Sequence, residues 1–276
     1  MTDYLNISFD LDDENLASAY DEVPFWSFPF GNLILSNIRL RSVAVALDIG
    51  FGTGYPLLEL SQRLGRTSTV CGIDMWRAAG KRAKFKAETL GIDNVAFVSG
   101  DASSMPFEDD LFDLIVCSIG INNFDDPLKV FKECFRVAKP GAELAFTTNP
   151  NGHMREFYEL FSCTLVACGL SGLLPALEAH QERRLSAETI EGLLSRAGLT
   201  VTRQQTEKVV WRFADGAAFF NHHLIKSVFV GGWQRILPPE YHVSFFEQLS
   251  ERIDEQARQR GEFGVSIPVV YIAASK

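Results

Sequence analysis

In ALDIGFGTGYPLLEL, residues 46–60, an apolar run opens into glycines at positions 50, 52 and 54 and then becomes apolar again. Apolar residues, then glycines, then leucines at helical spacing read as a strand, a tight turn and a helix. Glycine there permits positive φ and lets a ligand approach the main chain without meeting a Cβ. The first amides of the following helix then face that ligand. In open α/β sheets such a turn lies at the carboxyl edge, at the point where the strand order reverses. An acid, Asp48, stands two residues before the first glycine.

The same rhythm continues outward. VAVALDI (43–49), STVCGID (68–74), VAFVSG (95–100), LFDLIVCS (111–118) and AELAFTTN (142–149) are short apolar runs without strict polar alternation. Strands covered on both faces have that character. Between them, YPLLELSQRLG, RAAGKRAKFKAETLG and PLKVFKECFRVAKPG carry apolar residues at helical spacing and close near a glycine. The alternation implies an α/β fold with a doubly wound, mostly parallel sheet.

Beyond Asn149 the pattern changes. A helix is expected over about 153–169, and LSAETIEGLLSRAGL opens on Ser186 and Thr189 ahead of acidic residues, a capping box, and closes at Gly198. TVTRQQTEKVVWRF reads as a strand with polar alternation, and 214–262 as helical and aromatic-rich, with Phe219, Phe220, Phe229, Trp233, Phe245 and Phe246. VSIPVVYIAASK supplies a last strand, the seventh; Pro268 lacks an amide donor, so an edge position or a bulge is expected there. The resulting division is a helical N-terminal cap over 1–42 with VPFWSFPFG between its helices, and a Rossmann-like core over 43–149. The rest of the core with helical insertions read as a substrate lid occupies 150–264, and a final edge strand 265–276.

Bulk properties narrow the function. The chain has 276 residues, 46% of them hydrophobic, enough for a well-filled core. A formal charge of −9 argues against holding a nucleic-acid backbone. The basic run RAAGKRAKFKAE reads as a solvated helix face. Five cysteines without a C-x-x-C, two of them in strand-like runs, fit reduced thiols and a cytoplasmic protein. The acidic start is unlike a signal peptide, and no uncharged apolar stretch reaches the roughly 20 residues a membrane span needs. No metal site is expected, and the oligomeric state is not legible.

Three acids then give the ligand its chemistry. The glycine spacing is G-x-G-x-G, not the G-x-G-x-x-G of a pyrophosphate turn, and Asp48 beside it would repel a pyrophosphate but accept from an ammonium. Asp74 ends the next strand, where a carboxylate takes ribose hydroxyls. Asp101 ends the strand after that and can accept from an adenine amine, with Ala102 adding backbone. Ammonium, ribose and adenine on one ligand describe S-adenosylmethionine.

Residues 43–149 thus resemble the class I S-adenosylmethionine-dependent methyltransferases, in the small-molecule branch that includes ubiquinone and menaquinone biosynthesis. ALDIGFGTG, GID, GDASSMPFEDDLFDLIVCS and FRVAKPGAELAFTTN match the family motifs in order. The resemblance implies that Asp48, Gly50, Gly52 and Gly54 hold the methionine end and Asp74 the ribose. Met75 is implied to lie against the adenine, with Trp76 nearby, and Asp101 and Ala102 at its edge. Ser118 and Ile119 are implied to border the methyl path, and Tyr20 and Trp26 to close over the cofactor; Asp113 is implied to be structural.

Plainer readings stand beside these: tight-turn glycines, a helix-capping Asp74, a core Met75. In-line methyl displacement rests on positioning and needs a base only for a high-pKa acceptor, so no catalytic residue announces itself. Candidates are His153, Tyr158, His180, and His222 and His223, which are expected to diverge from one helix. Asn122 and Asn123 fall where substrate passes, and the aromatic content suits a small apolar or aromatic acceptor. Cys163 and Cys168 lie five apart and off one helix face, against a thiol-dependent arsenite activity. The alternatives are an NAD(P)-dependent oxidoreductase on a related fold and a non-catalytic S-adenosylmethionine-binding module.

Overall fold

The computed structural model describes residues 3–6, 10–23, 25–42 and 44–276; Val43 and Pro24, named above in a strand and an aromatic cluster, lie outside them. The chain divides into two compact units. One, the sheet unit, takes Asp10–Asn149, Leu185–Glu207 and Val269–Lys276; the helical unit takes Met1–Phe9, Pro150–Arg184 and Lys208–Pro268.

In the sheet unit the strands are β1 (Val45–Ile49), β2 (Thr69–Asp74), β3 (Val95–Ser99), β4 (Phe112–Ser118) and β5 (Ala138–Thr148), with β6 (Thr200–Phe213) and β7 (Phe263–Ser275) each contributing residues to both units. Their order is β3-β2-β1-β4-β5-β7-β6. The first five run parallel, and β7 pairs antiparallel with β5. β1 therefore lies between β2 and β4, where the order reverses. Leu47, Ile115 and Leu144 are fully buried across adjacent strands, because helices cover both faces. Those helices include α3 (Leu57–Leu64), α4 (Arg77–Leu90), α5 (Pro127–Val137) and α8 (Ala187–Arg196). Ser186 caps α8 by accepting from the Thr189 amide at 3.1 Å, and Asp113 accepts from the Val45 amide at 2.9 Å, a structural role.

Three expectations are corrected. The last strand, β7, is not at an edge: it lies between β5 and β6. Pro268 is accommodated because the ladder with β5 takes up only Val270–Ser275, so the missing amide precedes it. The aromatic cluster lies between helices only in its first half, since α2 (Ser27–Asn37) begins inside it. Most consequentially, the basic run on α4 is not a free solvated face. Lys81, Arg82 and Lys86 pair with Glu14, Asp21 and Glu22 of α1 (Glu14–Glu22).

The helical unit has a separate aromatic core. Phe157 and Phe161 on α6 (Arg155–Ala167), Phe219 and Phe220 on α9 (Gly216–Asn221), Trp233 on α10 (Val230–Gln234), and Phe245 and Phe246 on α11 (His242–Arg260) are all buried. α7 (Leu174–Glu182) completes it. No helix among the described residues is long and apolar enough to cross a membrane.

Candidate active site

The turn after β1 is held open by its glycines. Gly50, Gly52 and Gly54 have φ of +74°, +52° and +104°, the left-handed region that disfavours side chains. Their surroundings differ. A Cβ added to Gly52 would meet nothing within 4 Å, whereas at Gly54 it would strike Ala83 and Leu58 at 3.1 Å. Gly52 thus leaves space free, and Gly54 lets α4 and α3 approach.

Asp74 ties this turn to the next strand. One carboxylate oxygen accepts from the Gly52 amide and the other from the Trp76 amide, each at 2.7 Å. The capping role and the ligand role therefore meet on one side chain, since each oxygen keeps a further lone pair. Burial raises its pKa, and the amides of Trp76, Gly52 and Met75 oppose that rise.

Asp48 is unlike any other acid here. It is 0% exposed, and neither oxygen has a hydrogen-bond partner among the described residues. Burial first, then the charge of Asp74, pushes its pKa up to about 8, opposed weakly by the nearby Leu57 amide, which falls short of hydrogen-bond geometry. At neutral pH the side chain is mostly protonated. A buried polar group without a partner costs about 1–3 kcal/mol, so a cationic donor arriving at this place would both satisfy it and ionise it.

The remaining cofactor-side residues fall around the same carboxyl edge. Met75 is 69% exposed, which excludes a core role. Asp101 follows β3 and accepts from the amide and hydroxyl of Ser103 at 2.8 and 2.7 Å, which hold its pKa low, while Ala102 is buried. Tyr20, on α1, meets Trp76 edge-on with ring centroids 5.5 Å apart, and Trp76 donates to the Leu11 carbonyl at 2.7 Å. α1 thereby reaches the Asp74–Met75–Trp76 corner. Trp26 instead is buried against Phe30, 5.3 Å between centroids.

At the ends of β4 and β5 a polar group appears that the sequence reading named only in part. Ser118 pairs in register with Thr147. Ile119 takes a left-handed φ of +65° and donates to the Thr147 carbonyl at 2.9 Å. Asn122 donates to Asn149 Oδ1 at 2.7 Å, and Asn123 is exposed. The hydroxyls of Ser118, Thr147 and Thr148 and Oδ1 of Asn122 are buried without partners among the described residues. Thr147, Thr148 and Asn149 were missed; the signal was three successive polar residues directly after the apolar LAF of β5.

The candidate bases belong to the helical unit. His153 is buried with Nδ1 unpartnered, and burial holds its pKa well below the ordinary value. Tyr158 accepts from Trp233 Nε1 at 3.2 Å. His222 and His223 do not diverge from one helix, because α9 ends at Asn221 and their rings lie 4.9 Å apart. Cys163 and Cys168 remain free thiols, and no metal-holding group of three histidines, cysteines or acids occurs among the described residues.

Comparison with known proteins gives the family. Residues 40–183 match the family described as "Methyltransferase domain". The chain is 29% identical over 165 residues to a demethylmenaquinone methyltransferase of Oceanobacillus iheyensis, covering 56% of this chain and 69% of that protein. It is 33% identical over 138 residues to a demethylmenaquinone methyltransferase of Staphylococcus aureus, covering 50% of this chain and 55% of that protein. A SAM-dependent methyltransferase from Aquifex aeolicus shares the fold, with a TM-score of 0.55 at 24% identity over 70% of this chain and 91% of that one.

Proposed function

This chain belongs to the methyltransferase-domain family, as an S-adenosylmethionine-dependent methyltransferase of class I; on that premise we propose that it methylates a small, apolar or aromatic acceptor. The observation that carries the cofactor side of this reading is Asp48, a buried carboxyl whose missing partner matches the ammonium of the methionine moiety. The fit extends along the edge. The free space at Gly52 admits a ligand to the main chain, Asp74 retains lone pairs for ribose hydroxyls, and exposed Met75 offers a flexible apolar surface for an adenine. Ala102 and Asp101 are assigned to the adenine edge, and Tyr20 to its cover.

When bound, the cofactor supplies a methyl group activated by a sulfonium. This chain's residues do the rest by placement. Ser118, Thr147, Thr148 and Asn122, with buried unpartnered oxygens, are assigned to orient the acceptor. Their hydroxyl and amide oxygens bind polar atoms of the acceptor and exclude bulk water, so that orientation supplies much of the rate. The helical unit is assigned to acceptor selection, and its aromatic content together with the quinone-methylating relatives supports an apolar ring as acceptor.

Calorimetric titration with S-adenosylhomocysteine, with NADH as the control, tests the cofactor. One-to-one binding of the first alone is expected, whereas binding of NADH would overturn the reading of the glycine turn. For the acceptor, transfer of a labelled methyl from S-adenosylmethionine to a naphthoquinol is the direct assay. Cofactor binding without transfer to any apolar or aromatic acceptor would leave the class standing and remove the acceptor proposal. Asp74→Ala is expected to weaken S-adenosylhomocysteine binding about 10- to 100-fold, as loss of charge-assisted hydrogen bonds implies; an unchanged dissociation constant in the folded variant would remove Asp74 from the site.

A further inference from the structure

Apart from the glycine turn, the helical unit contains a second concentration of chemistry. Its members are Arg183 and Arg184 after α7, Arg235 after α10, His180 on α7, and His153 and Tyr158 about the start of α6. They form one connected group. Arg183 Nη2 lies 2.6 Å from His180 Nδ1, and the His180 ring is 6.1 Å from that of Tyr158, which is 5.7 Å from that of His153. Arg184 stands over the Phe229 ring at 6.0 Å, and the same ring is 6.0 Å from His153. Arg235 belongs to the same group. A Cβ added to Gly232 would come within 3.1 Å of His180 Cε1 and 3.8 Å of Arg235 Nη2.

The charge of this group is one-sided. Neither Arg183 nor Arg235 forms a salt bridge among the described residues. Burial and then Arg183, Arg184 and Arg235 hold His180 down to about 4. His153 is held low by burial, Arg184 and His180. Among the described residues no carboxylate acts on His153, Tyr158 or His180. Exposure falls from the exposed Arg183 and Arg235, through half-buried His180 and Arg184, to buried Tyr158 and His153. At the inner end, His153 Nδ1 has no partner, and the Tyr158 hydroxyl accepts from Trp233 with its own proton undirected.

We propose that this cluster is a binding site for an oxyanion, a carboxylate or a phosphate ester carried by a small ligand. Guanidinium forks bind planar or tetrahedral oxyanions in two-point fashion. Arg183 and Arg235 bring like charges to His180 without an ion pair of their own among the described residues, a repulsion that an incoming anion removes. Tyr158 and His153 add donors at the inner end, where desolvation strengthens each contact. The site stands on the helical unit alone and does not depend on which acceptor is methylated.

The test is thermal unfolding of the full chain with increasing sodium phosphate or sodium benzoate, against sodium chloride at equal ionic strength. A saturable rise in Tm beyond chloride is expected for at least one of them; benzoate alone identifies the carboxylate, phosphate alone the phosphate ester. In the Arg183→Gln/Arg235→Gln variant, both changes at exposed positions, the apparent dissociation constant is expected to rise about 10- to 100-fold. Ring resonances of His180 and His153 are expected to move with the same midpoint in the wild-type chain, and Arg183→Lys/Arg235→Lys to recover only part of the affinity. Parity with chloride for both anions, or a saturable rise that the Gln variant leaves unchanged, would overturn the site.

Discussion

A single buried carboxyl sets the pH behaviour of cofactor binding. Asp48 titrates at about 8 in the free protein, and an ammonium beside it favours the charged form. Below that pH a proton must leave on binding, so affinity rises with pH by up to about tenfold per unit and levels off above about pH 8. Titration of S-adenosylhomocysteine in buffers of different ionisation enthalpy is expected to show about one proton released near pH 7. A pH-independent affinity, or an Asp48→Asn variant with the same slope, would refute the assignment. The stability linkage has the opposite sign: the raised pKa stabilises the free protein below the unfolded value of about 4, and that contribution is lost as pH rises toward 8. At Gly52 an alanine is expected to abolish detectable binding. The matched control is Gly141→Ala, which shares a positive φ, +77°, and open space at Cβ. Equal losses of Tm with binding lost only at Gly52 would separate ligand space from backbone strain, and equal binding in the two would refute ligand approach. That Asp48, Gly52 and Asp74 fall at or just beyond the carboxyl ends of β1 and β2 was legible in the sequence, because apolar runs that end in acids and glycines mark strand ends. The orphaned hydroxyls of Thr147 and Thr148 were not, since burial without a partner is a property of the packed sheet.

Among the elements, α1 shows most plainly what local periodicity hides. The basic face of α4 looked solvated because its partners lie some 60 residues earlier, on a short acidic helix with no motif of its own. Asp21 accepts from Arg82 at 2.8 Å and from Lys86 at 2.5 Å, with only 11% of its side chain exposed. Those pairs and the Tyr20–Trp76 contact attach α1 next to Asp74. Asp21→Asn is expected to loosen α1 by about 1–3 kcal/mol, since it weakens a half-buried charged network. Hydrogen exchange over 14–22 is expected to accelerate and S-adenosylhomocysteine affinity to fall several-fold, more steeply as salt rises. Unchanged exchange there would mean that the ion pairs contribute nothing to holding the helix.

For the molecule as a whole, strands and helices of the sheet unit were legible because short continuous apolar runs and longer runs with apolar residues at helical spacing alternate without interruption. The place of the last strand was not. Pro268 argued for an edge, but register decides which amides a ladder uses, and register follows from partners far along the chain. The two-unit division was visible only as a change of pattern after Asn149. Its functional meaning is open to one experiment. All residues assigned to the cofactor lie in Asp10–Asn149, and acceptor selection is assigned to the helical unit. Saturation with S-adenosylhomocysteine at about 100 times its dissociation constant adds at most about 2.7 kcal/mol of protection to amides that exchange by opening the liganded region. That protection is expected in peptides covering 46–60, 72–80 and 98–105, and to be absent from 208–262. Addition of a naphthoquinol to the same complex is then expected to slow exchange within 150–184 and 208–262. If the cofactor product alone protects the helical segments to the same degree, those segments belong to the cofactor site and the proposed division of labour fails. If the naphthoquinol changes exchange only in the sheet unit, acceptor selection belongs with Ser118, Thr147 and Asn122 and not with the aromatic helices.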